Sequence, residues 1–271
     1  GPAKFSPKLL ETFSQYRNWL NRLQVDSVGA LNQAIHGKRI REIVLVAEAL
    51  HELKIASIAQ QILEKKEEID LILIAGPSSS GKTTSSKRLT VQLIAQGITP
   101  YTLELDNYFV QRELTPRDEN GEYDFESLNA LNIERLNRDL QGLVNGEEVQ
   151  LPKFNFITGQ VEDGELVRLR PNQKIVMEGI HGLNPEMLPN FPSSKTFRIF
   201  ASCLTQLNLD RYNRISTTDT RLIRRIVRDA RTRGYSAKDT IGRWDSVRRG
   251  EKLHIFPYQD YADEMLNTAL V

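Results

Sequence analysis

The chain has 271 residues, of which 39% are hydrophobic and 26% charged, with a formal net charge of +1; this is the balance of an ordinary soluble chain, with one sizeable α/β domain and a smaller appendage. Its single cysteine, Cys203, excludes an intramolecular disulfide and suits a reducing, cytoplasmic setting. No apolar run approaches the length of a membrane span, no signal-peptide pattern opens the chain, and Gly1-Pro2 reads as the scar of a cleaved tag.

Apolar residues recur at helical spacing over 6–23 and again over 45–66, the second set through Leu45, Ala49, Leu53, Ile58, Ile62 and Leu63. Residues 1–68 therefore read as a helical segment, ending in the charged run Glu64-Lys65-Lys66-Glu67-Glu68. Residues 69–75 are almost unbroken apolar, the pattern of a buried parallel strand, and 83–96 read as a helix closed by Gln96-Gly97. A second strand follows at 101–105, then a turn-rich stretch over 115–121 and a helix from about 127 to 144 closed by Asn145-Gly146. Short strands over 149–169, around Asp163-Gly164, predict a hairpin inserted into the α/β order. Further strands are expected at 174–177 and 196–201, and an amphipathic helix at about 220–233. The run 265–271 is strand-like with no polar terminator, so the natural chain is expected to continue in both directions. The expected fold is α/β, a mostly parallel sheet flanked by helices, with an inserted hairpin, the helical segment 1–68 and a larger unit over 69–271.

The stretch Gly76-Pro77-Ser78-Ser79-Ser80-Gly81-Lys82-Thr83 fits G-x-x-x-x-G-K-[ST], between a strand and a helix as that motif requires. Such a loop turns backbone N–H groups inward, and the helix N-terminus adds its positive dipole end. Gly76, Ser78, Ser79, Ser80, Gly81, Lys82, Thr83 and Thr84 are the candidate phosphate-binding residues, with Lys82 reaching the outer phosphates of ATP and Thr83 holding Mg²⁺. Asp106 and Glu178 each follow an apolar strand, the position at which an acid can serve the metal or the reaction in an open parallel sheet. His181, just beyond Glu178, reads more readily as a hydrogen-bonded structural residue than as a catalyst.

On the helix at 220–233, Arg221, Arg224, Arg225, Arg228 and Arg231 gather on one side, while Leu222, Ile223, Ile226, Val227 and Ala230 gather on the other. The spacing predicts that the apolar face packs and that the arginines form a lid over phosphates, where planar guanidinium forks match phosphoryl geometry. Near-neutral charge and the lack of an aromatic-interleaved basic patch argue against nucleic acid as the main ligand. Neither an Asn-Lys-x-Asp motif of GTPases nor a Ser-Gly-Gly signature of transporter ATPases occurs, and a small-molecule kinase fits better than either.

These motifs, in this order, resemble the uridine kinase and phosphoribulokinase family of P-loop kinases. The resemblance runs over about 69–271, through the P-loop, Leu105-Asp106-Asn107-Tyr108-Phe109, Glu122-Tyr123-Asp124-Phe125, Leu151-Pro152-Lys153-Phe154-Asn155-Phe156, Met177-Glu178-Gly179-Ile180 and the stretch from Asp219 to Asp229. It implies ATP and Mg²⁺ as cofactors, with Asp106 as the base for the acceptor hydroxyl and Glu178 near the metal. It further implies Phe109, Tyr123, Asp124 and Phe154 in the acceptor pocket, and Arg221, Arg224 and Arg225 closing over the phosphates. The sequence departs from the family on the acceptor side: Phe109 lacks a phenol usual there, Gly159 stands where uridine kinases carry a histidine, and the glutamine beyond the lid aligns near Thr240. The run Thr115-Pro116-Arg117-Asp118-Glu119-Asn120-Gly121 is similar to a longer bacterial branch, in which the kinase follows regions like the N-terminal part of threonyl-tRNA synthetase. The expected activity is phosphoryl transfer to a pyrimidine nucleoside. A non-nucleoside acceptor, such as a sugar phosphate or hydroxy acid, and an ATP-gated module binding RNA or protein are the other readings. Nothing in the sequence decides between a monomer and a homo-oligomer.

Overall fold

The computed structural model describes residues 7–269 except 206, 211 and 233; Gly1-Pro2 and the expected element ends at 6, 233 and 270–271 lie outside the described residues. Three helices come first, α1 (Pro7–Leu23), α2 (Val28–His36) and α3 (Ile40–Glu64). The hydrophobic spacing does not announce α2, but its caps do: the Ser27 hydroxyl accepts the Ala30 N–H at 3.1 Å, and Gly37 closes the helix. Leu20, Leu23, Val25, Ala34 and Ile43 pack the three helices together. The second half of α3 turns Ile55, Ile58, Ala59 and Ile62 into the main core.

The chain continues as β1 (Leu71–Ala75), α4 (Lys82–Ala95), β2 (Thr99–Glu104), α5 (Ile133–Val144), the hairpin strands β3 (Val149–Asn155) and β4 (Gln160–Val167), β5 (Gln173–Gly179) and β6 (Thr196–Ser202). It closes with α6 (Thr217–Thr232), α7 (Ala237–Gly242), α8 (Trp244–His254) and β7 (Glu264–Asn267). Five strands form one parallel sheet in the order β2-β5-β1-β6-β7. Every residue of β1 and β6 is buried, as strands covered on both faces must be. The strand period of two divides β1 between two cores. Leu71 and Leu73 join Ile175 and Met177 under Leu136, Leu140 and Leu143 of α5. Ile72 and Ile74 face the opposite way, toward α3 and toward Leu89 and Leu93 of α4. No helix among the described residues is long and apolar enough to cross a membrane.

Three local expectations are corrected. The helix expected from 127 begins later: the Ser127 hydroxyl caps a short 3-10 turn, Leu128–Ala130, and Asn132 then caps α5 through the Arg135 N–H. The hairpin does not turn at Asp163-Gly164; the chain reverses over 156–159, and Gly164 lies within β4, where a Cβ would stand 2.8 Å from the Leu151 carbonyl oxygen. That glycine serves a close backbone approach beside the irregularity between Gln150 and Pro152 rather than a turn.

The largest correction concerns α6, whose faces are reversed. Arg221 is 1% exposed, whereas Ile223 is 62% and Val227 43% exposed. The arginine side packs inward because it finds acceptors there, Glu251 for Arg221, the Ser78 hydroxyl for Arg225 and the Thr268 carbonyl for Arg224, and because arginine stems are themselves apolar. Ile223→Lys is accordingly expected to change unfolding free energy by no more than about 0.5 kcal/mol. Ile58→Ala, on the covered face of α3, is expected to lose about 2–5 kcal/mol. Urea denaturation measures both, and a comparable loss for Ile223→Lys would mean that α6 packs through its apolar face after all.

Candidate active site

The loop joining β1 to α4 lies at the carboxyl edge of the sheet, the edge at which open α/β folds bind ligands. Gly76 has no room for a side chain, since a Cβ there would stand 2.0 Å from the Ala201 carbonyl oxygen of β6. Gly81 caps α4 in the left-handed region at φ 88°, and Ser79 is held there too, at φ 58°, an uncommon setting for a serine. The hydroxyls of Ser79 and Ser80 are buried without a hydrogen-bond partner among the described residues. A tight turn at a helix N-terminus with two idle buried hydroxyls fits the oxygens of a nucleotide phosphate. Lys82 opens α4 and donates to the Pro77 carbonyl at 3.2 Å. Burial lowers its pKa, while Glu178 and Glu126 oppose that shift.

The two expected metal groups meet. Thr83 Oγ1 donates to Glu178 Oε1 at 2.5 Å, because β5 pairs with β1 in the register that sets Glu178 opposite Ile74. This pair of oxygen donors suits Mg²⁺, which keeps most of its shell for water and phosphate oxygens. Asp106 stands exposed in the 3-10 turn Leu105–Tyr108 that ends β2. It shares a cavity of about 460 Å³ with Ser78, Lys82, Thr83, Glu178 and Arg225. A larger cleft of about 540 Å³ opens between β2 and the hairpin, but no P-loop residue lines it. The smaller cavity is therefore where chemistry can occur.

Of the residues expected around an acceptor, Phe109 lines the cavity beside Phe125, with ring centroids 5.9 Å apart, edge to face. Phe154 stands one layer behind, 4% exposed and 5.7 Å from Phe109. Tyr123 also lies outside the lining, its ring 4.3 Å from the Arg117 guanidinium. Asp124 accepts the Glu126 N–H at 3.1 Å, and it is Glu126 rather than Asp124 that reaches the cavity. Burial raises the Glu126 pKa against the pull of Arg225 and Lys82. Sequence reading passes over Glu126, which lies one residue beyond the motif that carries the resemblance.

The arginines expected to form a lid divide. Arg225 lines the cavity and donates to the Ser78 hydroxyl at 2.7 Å, and Arg228, one of the five arginines on that side of the helix, lines it too. Arg224 reaches the Thr268 carbonyl at 3.3 Å beside Gly81. Arg221 does not line the cavity; it is buried against Glu251 at 2.6 Å. Thr84 is exposed on the first turn of α4, outside the lining. His181 is 2% exposed at the cavity wall, and burial together with His254 pushes it down to about 4, so it is neutral at pH 7.

The raised Glu126 carboxyl has a consequence for stability. Between its ordinary and its raised pKa the folded state holds more protons than the unfolded state, so stability falls as pH rises through that window. Glu126→Gln mimics the protonated form and is expected to melt above the wild type at pH 7. The difference should close as pH falls below about 4, near the ordinary glutamate pKa. Thermal denaturation across pH tests this, and a variant that melts below the wild type at pH 7 would contradict it.

Comparison with known proteins agrees with this geometry. The profile of the Phosphoribulokinase / Uridine kinase family matches residues 71–269. A uridine kinase of Ligilactobacillus salivarius (strain UCC118) is 29% identical over 194 residues, covering 71% of this chain and 82% of that one. A uridine kinase of Staphylococcus haemolyticus (strain JCSC1435) is 28% identical over 194 residues, covering 71% and 84%. In fold the chain is similar to a Silicibacter sp. TM1040 kinase named for a fructose transport system, with a TM-score of 0.50 at 17% identity, covering 78% of this chain and 98% of that one. A phosphate loop at the carboxyl edge of a parallel sheet, an acid on the neighbouring strand β5 and another in the turn that ends β2, and the family profile over this whole region lead to one conclusion: the chain is a P-loop kinase belonging to the phosphoribulokinase/uridine kinase family.

Proposed function

We propose that this kinase moves the γ-phosphate of ATP to the 5′-hydroxyl of a pyrimidine nucleoside. The observation that carries the reading is the Asp106 carboxylate in one cavity with Lys82, Thr83 and Glu178, beside the Phe109 and Phe125 rings. Asp106 accepts the proton of the attacking hydroxyl. Lys82, Arg225 and Arg228 gather around the charge that spreads over the transferring oxygens. Thr83 and Glu178 would hold Mg²⁺, which when bound with ATP would neutralise charge on the phosphate oxygens of the phosphoryl donor.

The carboxylates of the cavity support a neutral acceptor. Glu104, Asp106 and Glu126 line it together with Glu178, and a sugar phosphate or hydroxy acid would bring another negative charge among them. Carboxylates accept hydrogen bonds from sugar hydroxyls, and an aromatic wall suits a base. The names of the relatives point the same way. Gly159 packs on the Arg112 side chain and Thr240 bonds Asp229 at 3.3 Å; neither lines the cavity. The base would thus be held mainly by shape and stacking, which favours acceptance of both uridine and cytidine.

Mg²⁺-dependent ADP release, measured with a panel of nucleosides, sugar phosphates and hydroxy acids, tests the assignment. Uridine and cytidine should stimulate release, Asp106→Asn should lower kcat by about 10²–10⁴-fold, and Lys82→Ala should abolish stimulation. Stimulation by a sugar phosphate or hydroxy acid with none by any nucleoside would overturn the acceptor. Full activity in Asp106→Asn would overturn the base.

A further inference from the structure

We propose that Glu251, a residue of α8 outside the phosphate loop, is a positioning residue that fixes the loop and the lid helix in register. Its side chain is wholly buried and divides its two oxygens. Oε2 accepts Arg221 of α6 at 2.6 Å, with both side chains 1% exposed. Oε1 accepts the backbone N–H of Ser78 at 3.3 Å. One turn along α6, Arg225 donates to the Ser78 hydroxyl at 2.7 Å. Ser78 is therefore gripped through its N–H and its hydroxyl by groups that both depend on α6.

The same turn of α8 also meets the acceptor side. At Gly250 a Cβ would stand 2.8 Å from the Cβ of Glu126, so the helix is pressed against the segment that delivers Glu126 to the cavity. Arg248 ties α8 to the start of α6 by donating to the Thr218 hydroxyl at 2.6 Å. Arg221 lies 5.4 Å from the Trp244 ring, also on α8. Phosphate loop, lid helix and acceptor segment thus meet at Gly250-Glu251.

A buried ion pair is a poor source of stability, because the desolvation of two charges offsets their attraction and an apolar pair of similar size does as well. A carboxylate, unlike an apolar side chain, can hold a guanidinium and a backbone N–H at once, in a fixed geometry. Arg221 in turn acts through Glu251 rather than at the phosphates, with Arg225 and Arg228 left to face the cavity.

The test uses Glu251→Gln and the double variant Glu251→Gln/Arg221→Gln, which keeps two hydrogen-bonding side chains without leaving a lone buried charge. The readouts are melting midpoint, Mg²⁺·ATP affinity by calorimetry on folded protein, and the split between kcat and KM for ATP. A positioning role predicts that the folded double variant binds Mg²⁺·ATP at least tenfold more weakly, with KM for ATP raised in parallel. A merely structural role would lower the melting midpoint and leave the affinity of each folded molecule unchanged. Affinity within twofold of wild type in the folded double variant would overturn the proposal, whether or not Glu251→Gln alone folds. The inference rests on the kinase reading only through ATP binding, and calorimetry needs no acceptor, so it stands or falls separately from the nucleoside assignment.

Discussion

The parallel pairing of β1 with β5 on one side and β6 on the other is the constraint on which the rest depends. That register sets the Ala201 carbonyl against Gly76, which forces the turn to be a glycine, and it sets Glu178 level with the end of β1, within reach of Thr83. A slip of one residue would turn every side chain of β1 to the other face, exchanging the leucines that meet α5 for the isoleucines that meet α3 and α4. The core on both faces of the sheet therefore holds the phosphate loop in place as much as any contact within the loop does.

The cavity that results holds both signs of charge. Lys82, Arg225 and Arg228 line it, and so do the carboxylates Glu104, Asp106 and Glu126. The two groups perturb each other: Glu126 raises the Lys82 pKa that burial lowers, and Lys82 and Arg225 lower the Glu126 pKa that burial raises. Such opposition of burial and charge in one confined space is how a kinase can place a base for a hydroxyl beside cations for a phosphoryl group.

Around this cavity, α6 is held by polar contacts. Its arginines reach Glu251, Ser78 and Thr268, and Thr268 in turn donates its hydroxyl to the Ser80 carbonyl. Helix α6 is thereby joined to the phosphate loop at both ends of the Ser78–Ser80 stretch, and Ile223 and Val227 are left toward solvent. Such an arrangement spends hydrogen-bonding groups on geometry that apolar packing could not specify.

Local chemistry made much of the chain legible. Residues 69–75 are apolar without interruption, so a strand buried on both faces follows from composition, and the loop after it follows from the fixed spacing of Gly76, Gly81, Lys82 and Thr83. The caps of α2 were present at Ser27 and Gly37, but hydrophobic spacing carried no sign of the helix between them. What the sequence could not decide was direction and partnership. The faces of α6 read correctly as two faces, yet which one turned inward depended on Glu251, thirty positions away, offering an acceptor. Glu126 reached the cavity only because Asp124 bent the backbone, and Phe154 fell one layer behind Phe109 because of how the hairpin packed. Periodicity and motif spacing act through neighbours along the chain, whereas these outcomes were set by groups brought together across it, where a buried guanidinium must find a carboxylate or leave its charge unpaired.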